Sequence, residues 1–242
     1  MLNMIAAEFL KLKRTRIFWL IIIGNIIPLI SNISYLIFSN NEMSGINSMT
    51  YIKIILSLLL APLLFGIVSS AIFIREYQEE NVILYKSYSY EKNMFYLSKL
   101  ITSFIIIGAS LFFILGTNYL LCMLFSNMSI NLEFIRHELI ASIQLLICQF
   151  ALAIISVIAT LYFKSHIAGI IVTIGGLLTS LLTLVANLDV LRYYNPYYIS
   201  LIIEGLSRES KQNLSIQMGW IVLLLIIVIF LGYRLFEKLE DN

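Results

Sequence analysis

Apolar residues dominate this chain in long runs, and short clusters of charge separate them. A helix that spans a bilayer needs about 20 mostly apolar residues. Six runs reach that length, at about residues 17–38, 54–74, 100–125, 139–163, 166–188 and 216–233. The pattern predicts an all-α integral membrane protein with six transmembrane helices. Little more than Lys164 and Ser165 separates the fourth run from the fifth, which predicts a tight helical hairpin.

Two amphipathic pieces lie outside these runs. Before the first, Leu2, Ile5, Phe9 and Leu12 fall at helical spacing, with Glu8, Lys11 and Arg14 on another side. Residues 1–16 are therefore expected to form a helix lying in the membrane interface, its cations near anionic head groups. A solvated basic flank explains the same residues. The first run is too long for a cleaved signal peptide and lacks a small-residue cleavage site. Between the fifth and sixth runs, residues 189–215 are too polar to span, yet Ile199, Ile202, Ile203 and Leu206 recur at helical spacing. Four tyrosines surround Asn195 and Pro196 there, and tyrosine favours the membrane interface. A short re-entrant or flat helix is expected, with an interfacial anchor as the plainer reading.

Composition agrees with lipid as the main solvent. Hydrophobic residues make up 60% of the 242 and charged ones 12%. A soluble domain carries about 25% charged residues, and a chain this short has too little interior to hide so much apolar surface. Soluble enzymes, DNA-binding proteins and disordered chains are excluded on that ground, and a net charge of +2 offers nothing to a nucleic acid. The placement of the cations is more informative. With six spans both termini share a side, and eleven of the 16 Lys and Arg residues fall there: Lys11, Lys13, Arg14, Arg16, Arg75, Lys86, Lys92, Lys99, Lys164, Arg234 and Lys238. The other side holds Lys53, Arg136, Arg192, Arg208 and Lys211. Basic loops stay in the cytoplasm, so both termini are expected there.

Candidate chemistry is sparse. Cys122 and Cys148 sit in apolar runs without a CxxC pattern, so a disulfide or zinc site is not expected. Glu133, His137 and Glu138 have a spacing that could hold a metal, but a solvated loop cluster explains them equally. No acidic or basic residue is expected deep in a span, which argues against a proton-coupled pump. Asn25, Pro28 and Asn32 share one face of the first span and either line a path or hold neighbouring helices. Gly169, Thr173, Gly176 and Ser180 form a small-residue stripe on the fifth span. Such a stripe lets helices approach closely, either within the chain or across an interface between two permeases.

The 75–99 segment is the one sizeable cytoplasmic loop expected. It opens with Glu76, Glu79 and Glu80, continues through a short apolar piece to Lys86 and Tyr90, and ends at Lys99. Acids early and a cation late suit a short helix and its dipole. With AEFLKLKRTRIFWL at 7–20, REYQEEN at 75–81, SYSYEKN at 87–93 and LSKL at 97–100, the order of parts resembles the membrane subunit of type-2 ABC exporters. Asn81 stands where that group often has Gly, and the loop has no Pro. The resemblance implies a single permease domain over 1–242, with a coupling helix between spans two and three that docks on an ATPase through Arg75, Glu76, Glu79, Glu80, Lys86 and Tyr90. It also implies that the region around Asn195, Pro196 and Tyr197 caps the exit path. No glycine here is followed by Lys, so a Walker A loop is absent. No cofactor is expected in this chain; ATP and Mg would be bound by two copies of a partner ATPase. A second permease, the same or different, completes the expected complex in a bacterial plasma membrane.

The sequence is similar to the subgroup that protects producer cells from lantibiotics and other bacteriocins, which implies export of a hydrophobic or cationic peptide. Another hydrophobic drug or lipid is the nearest alternative substrate. An intramembrane protease is a different class of reading. Glu79-Glu80 resembles part of an E-E-x-x-x-R motif, but position 84 is Leu and the required histidines are missing. A channel should show a filter or a charged ring, and neither is visible.

Overall fold

The structure is a computed structural model; it describes residues 1–13, 15–38, 45–57, 61–78, 92–126, 132–186, 194–203 and 214–241. The described residues contain helices and no strand. In chain order these are α1 (Leu2–Lys13), α2 (Arg16–Phe38), α3 (Gly45–Ile55), α4 (Ala61–Gln78), α5 (Lys92–Ser126), α6 (Leu132–Phe163), α7 (His166–Ala186), α8 (Pro196–Ile203) and α9 (Leu214–Asp241). Five of them, α2, α5, α6, α7 and α9, are long and apolar enough to cross a membrane.

The remaining expected span, 54–74, is built differently. Its apolar helix runs over Ala61–Arg75 and is shorter, while α3 begins at Gly45, nine residues ahead of the run. The helical path opens into a wider π turn at Leu56 and Ser57. Pro62 lies in the first turn of α4, where its missing amide donor is tolerated.

Two helices overrun their apolar runs. α5 has 35 residues and α6 has 32, about 52 and 48 Å at ~1.5 Å per residue, against a hydrocarbon core of ~30 Å. Each therefore projects beyond lipid at one end. Residues 132–138, expected as a loop, are the first turns of α6. No cluster of possible metal ligands occurs among the described residues.

α4 and α6 form the centre. α4 is enclosed on every side, with Ala61, Phe65, Val68, Ser69, Ser70, Phe73 and Ile74 all buried. It packs most extensively on α6, and α6 in turn on α9 and α7. The outer helices keep apolar faces open: Trp19, Ile23 and Ile30 on α2, Ile171, Leu178 and Leu182 on α7, Ile226 and Phe230 on α9. This inside-out distribution is what lipid as solvent allows.

The α6–α7 turn is as tight as the sequence implies. Lys164 adopts a left-handed φ of 52°, and the Ser165 amide donates to the Thr160 carbonyl at 3.2 Å. That 6→1 bond is the Schellman closure of a helix C-terminus. The Ser165 hydroxyl then accepts the Ile167 amide at 3.3 Å, capping α7. One residue thus ends one helix and the next starts the other.

Candidate functional site

Where α1 meets the end of α4 and the start of α5, the chain builds a polar centre at one end of the bundle. Lys99 lies two turns into α5 and is 0% exposed. Its Nζ donates to the Ile72 carbonyl at 3.0 Å and lies 3.5 Å from Glu8 Oε2. It also sits 4.8 Å from the centroid of the Phe95 ring. Glu8 is 4% exposed and takes a second ion pair, Lys11 Nζ to Oε1 at 2.8 Å. Burial raises the Glu8 carboxyl, but Lys99 and Lys11 outweigh it and hold the group below the usual carboxylate range. Arg75, near the end of α4, donates from Nη1 to the Lys11 carbonyl at 3.0 Å.

This arrangement corrects two expectations. Glu8, expected on a side of α1 apart from Leu12, faces the bundle with Leu12, while Leu2, Phe9 and Leu10 are exposed. Lys99, expected to end the cytoplasmic loop, lies near the start of the apolar helix Asn93–Leu124. The apolar run begins at Leu100, so sequence placed Lys99 at its edge; the helix begins at Lys92 and carries it inward. The Glu8–Lys11 spacing of three, on a helix otherwise basic, was the available signal.

An aromatic group underlies this polar centre. Phe73 of α4, Tyr96 of α5 and Phe236 of α9 are mutually packed, with ring centroids 5.5 to 6.5 Å apart. The Tyr96 hydroxyl donates to the Ile229 carbonyl at 3.0 Å, and the Tyr233 hydroxyl bonds Asn93. The ends of α4 and α9 and the start of α5 are thereby fixed to one another. Of the residues expected to dock on an ATPase, Arg75 is half-buried and bonded as described, and Glu76 belongs to α4. Glu79, Glu80, Lys86 and Tyr90 lie outside the described residues.

The small-residue stripe of α7 faces inward. Thr173 and Ser180 are fully buried. A Cβ at Gly169 would stand 2.5 Å from Ser70 Oγ and 3.0 Å from the Ser156 carbonyl. Ser70 donates to Ser156 at 3.3 Å, and Ser156 Oγ lies 3.1 Å from the Gly66 carbonyl. The stripe is the seam of α4, α6 and α7. A Cβ at Gly176 would overlap the ring of Tyr197.

The polar face of α2 meets α5. Asn25 Nδ2 donates to Ser110 at 3.4 Å, and Asn32 donates to Asn118. Pro28 is buried between them. Asn25 also lines a small pocket with Leu56, Ala61 and Ile114, and its Oδ1 has no hydrogen-bond partner among the described residues. At the opposite end of the bundle, Asn195 caps α8. Its Oδ1 accepts the Tyr197 amide at 3.1 Å, and its Nδ2 reaches Thr179 and Thr183 at 3.4 Å. Pro196 occupies the first helical position, where its missing donor costs nothing. Tyr197, Tyr198, Ile199 and Ser200 are buried, so α8 is an inserted helix packed on α6 and α7. Trp220 donates to the Tyr194 carbonyl at 3.2 Å beside it. Lys53 and Glu138 form an ion pair at this end.

Long apolar helices around a polar-seamed centre define a multi-pass helical membrane protein. A family model described as ABC-2 family transporter protein matches residues 4–180, well over half of the chain. The chain therefore belongs to the ABC-2 transporter family. Membership makes it a transmembrane subunit of an ABC exporter rather than the ATP-hydrolysing one, and implies an ABC ATPase as partner. No curated protein matches the chain.

Proposed function

We propose that this chain is the permease of an exporter that expels a membrane-active peptide, of the lantibiotic or bacteriocin kind, and so protects the cell that carries it. The family match over residues 4–180 carries the permease part of this reading; the peptide substrate rests on the resemblance of the sequence alone. In this reading the chain crosses a bacterial plasma membrane six times, with α3 and α4 together serving as the second crossing and both termini in the cytoplasm. The 75–91 segment docks on a dimer of the partner ATPase, which binds ATP and Mg. A second permease, identical or different, completes the pore. The open apolar face of α7 suits that contact better than the Gly169–Ser180 stripe, which is occupied within the chain. The α8 region, with Asn195, Pro196 and Tyr197, caps the exit. A hydrophobic or cationic peptide fits a molecule whose long helices offer broad apolar faces to lipid and whose buried Glu8–Lys99 ion pair lies at the α1 end.

Co-expression with an adjacent ATPase gene, then purification and reconstitution, tests the reading. The ATPase is expected to co-purify, and Glu76, Glu79 and Glu80 changed together to Ala are expected to release it. A lantibiotic-sensitive host carrying both genes should survive higher peptide concentrations. Retained binding in the triple variant refutes the docking assignment, and unchanged sensitivity refutes the substrate class.

A further inference from the structure

The two helices that flank residues 79–91 are both tied to one short helix. α4 is held where Arg75 donates to the Lys11 carbonyl at 3.0 Å. α5 is held where Lys99 meets Glu8 at 3.5 Å and where Lys11 lies 5.8 Å from the centroid of the Phe95 ring. α1 is therefore a strap that joins the end of α4 to the start of α5. Its inner face presents a single acid, Glu8, between Ile5 and Leu12, and Lys99 is the cation of the α5 wall that receives it.

Burying two opposite charges is a poor way to gain stability, because well-packed apolar residues of the same volume do as well or better. Such a pair does fix register, since one helical step in either direction strands a charge in an apolar site. Here the ammonium has three donors. The Ile72 carbonyl, the Glu8 carboxylate and the Phe95 ring surround it. The geometry is thus specific in both translation and rotation of α1.

We infer that the Glu8–Lys99 ion pair is a positioning element that locks α1 to the end of α4 and the start of α5, so that the three helix ends move as one body. This rests on the reading of residues 75–91 as the ATPase-docking loop. Glu8 and Lys99 act through the strap and touch neither nucleotide nor substrate.

The test uses the full permease–ATPase complex in proteoliposomes, with Glu8→Gln, Lys99→Met and the charge-conserving Lys99→Arg, which keeps donors for both the Ile72 carbonyl and Glu8. Leu12→Cys, on a Cys122→Ala and Cys148→Ala background, reports whether α1 stays seated, through labelling by a bulky maleimide. Both neutralising variants are expected to keep the ATPase bound and its basal hydrolysis unchanged. They should expose Leu12→Cys and cut transport per ATP by about fivefold or more, the lower edge of usual coupling factors. Lys99→Arg should retain more protection and coupling than Lys99→Met. Unchanged labelling in both neutralising variants, or labelling without loss of coupling, overturns the inference; so does a Lys99→Arg variant no better than Lys99→Met in both readouts. If the wild-type permease retains no ATPase, the docking reading fails instead, while the labelling still decides whether the pair seats α1.

Discussion

Gly169 is the point where a single methyl group should cost most. Its α-carbon faces α4 and α6 at once, and an added Cβ meets the Thr160 hydroxyl, Ser70 Oγ at 2.5 Å and the Ser156 carbonyl at 3.0 Å. The carbonyl belongs to a helix backbone and cannot rotate away. Gly169→Ala must therefore push α7 outward or break the Ser70–Ser156 contact. Overpacking of this kind costs about 1–3 kcal/mol, and a lost interhelical hydrogen bond in a membrane about 0.6 kcal/mol. The better helix propensity of Ala returns at most about 1 kcal/mol. A net loss of about 2 kcal/mol should lower Tm by roughly 4–8 °C for a chain of this length. Cys122 and Cys148, both buried, make the assay self-contained, because a thiol-reactive dye lights up as they become accessible on heating. Gly175→Ala is the control. It lies six residues further along the same helix, with nothing within 4 Å of its added Cβ. Equal melting temperatures for the two variants would refute the three-helix seam.

Two further outcomes follow from local geometry. Lys164 holds a left-handed φ of 52°, which disfavours a residue with a Cβ by about 1–2 kcal/mol; Lys164→Gly should raise Tm by a few degrees in the same thermal assay, whereas Lys164→Ala should leave it unchanged. Glu8 titrates below its ordinary value of 4.5 beside Lys99 and Lys11, so the unfolded chain binds its proton first and stability rises with pH between the two values. The Glu8 contribution is present above the ordinary value and is lost as pH falls through the lowered one. Tryptophan-monitored melting of wild type should therefore converge on that of Glu8→Gln in acid, with Lys99, Lys11 and Arg75 the charges facing this site among the described residues.

The five long helices were legible because the charge-free runs that delimit them are long, and in lipid length and apolarity nearly settle the matter. The π turn at Leu56 and Ser57 was less legible: the apolar run continues through residues 56–61, so hydropathy sees no change of helical path there. The two readings of the α7 stripe could be separated only by knowing which helices arrive opposite it. The face of α1 was misread for a related reason. In a helix of 12 residues that is both basic and apolar, periodicity cannot tell a charge meant for water from one meant for Lys99. Asn195 was legible as a turn residue, and its geometry adds that the turn caps a buried helix.

The enclosure of α4 also constrains how the molecule is made. Its seam of Gly66, Ser69 and Ser70 is synthesised before the ribosome reaches α6 at Leu132 or α7 at His166. For that interval a short helix with an incomplete polar face has only α2, α3 and later α5 beside it. The two-residue turn at Lys164 and Ser165 then delivers the two missing walls as one hairpin, so the last half of the chain closes around a helix already in place. Separating α6 from α7 with a flexible insertion at Lys164 should therefore trouble biogenesis before it troubles the finished protein.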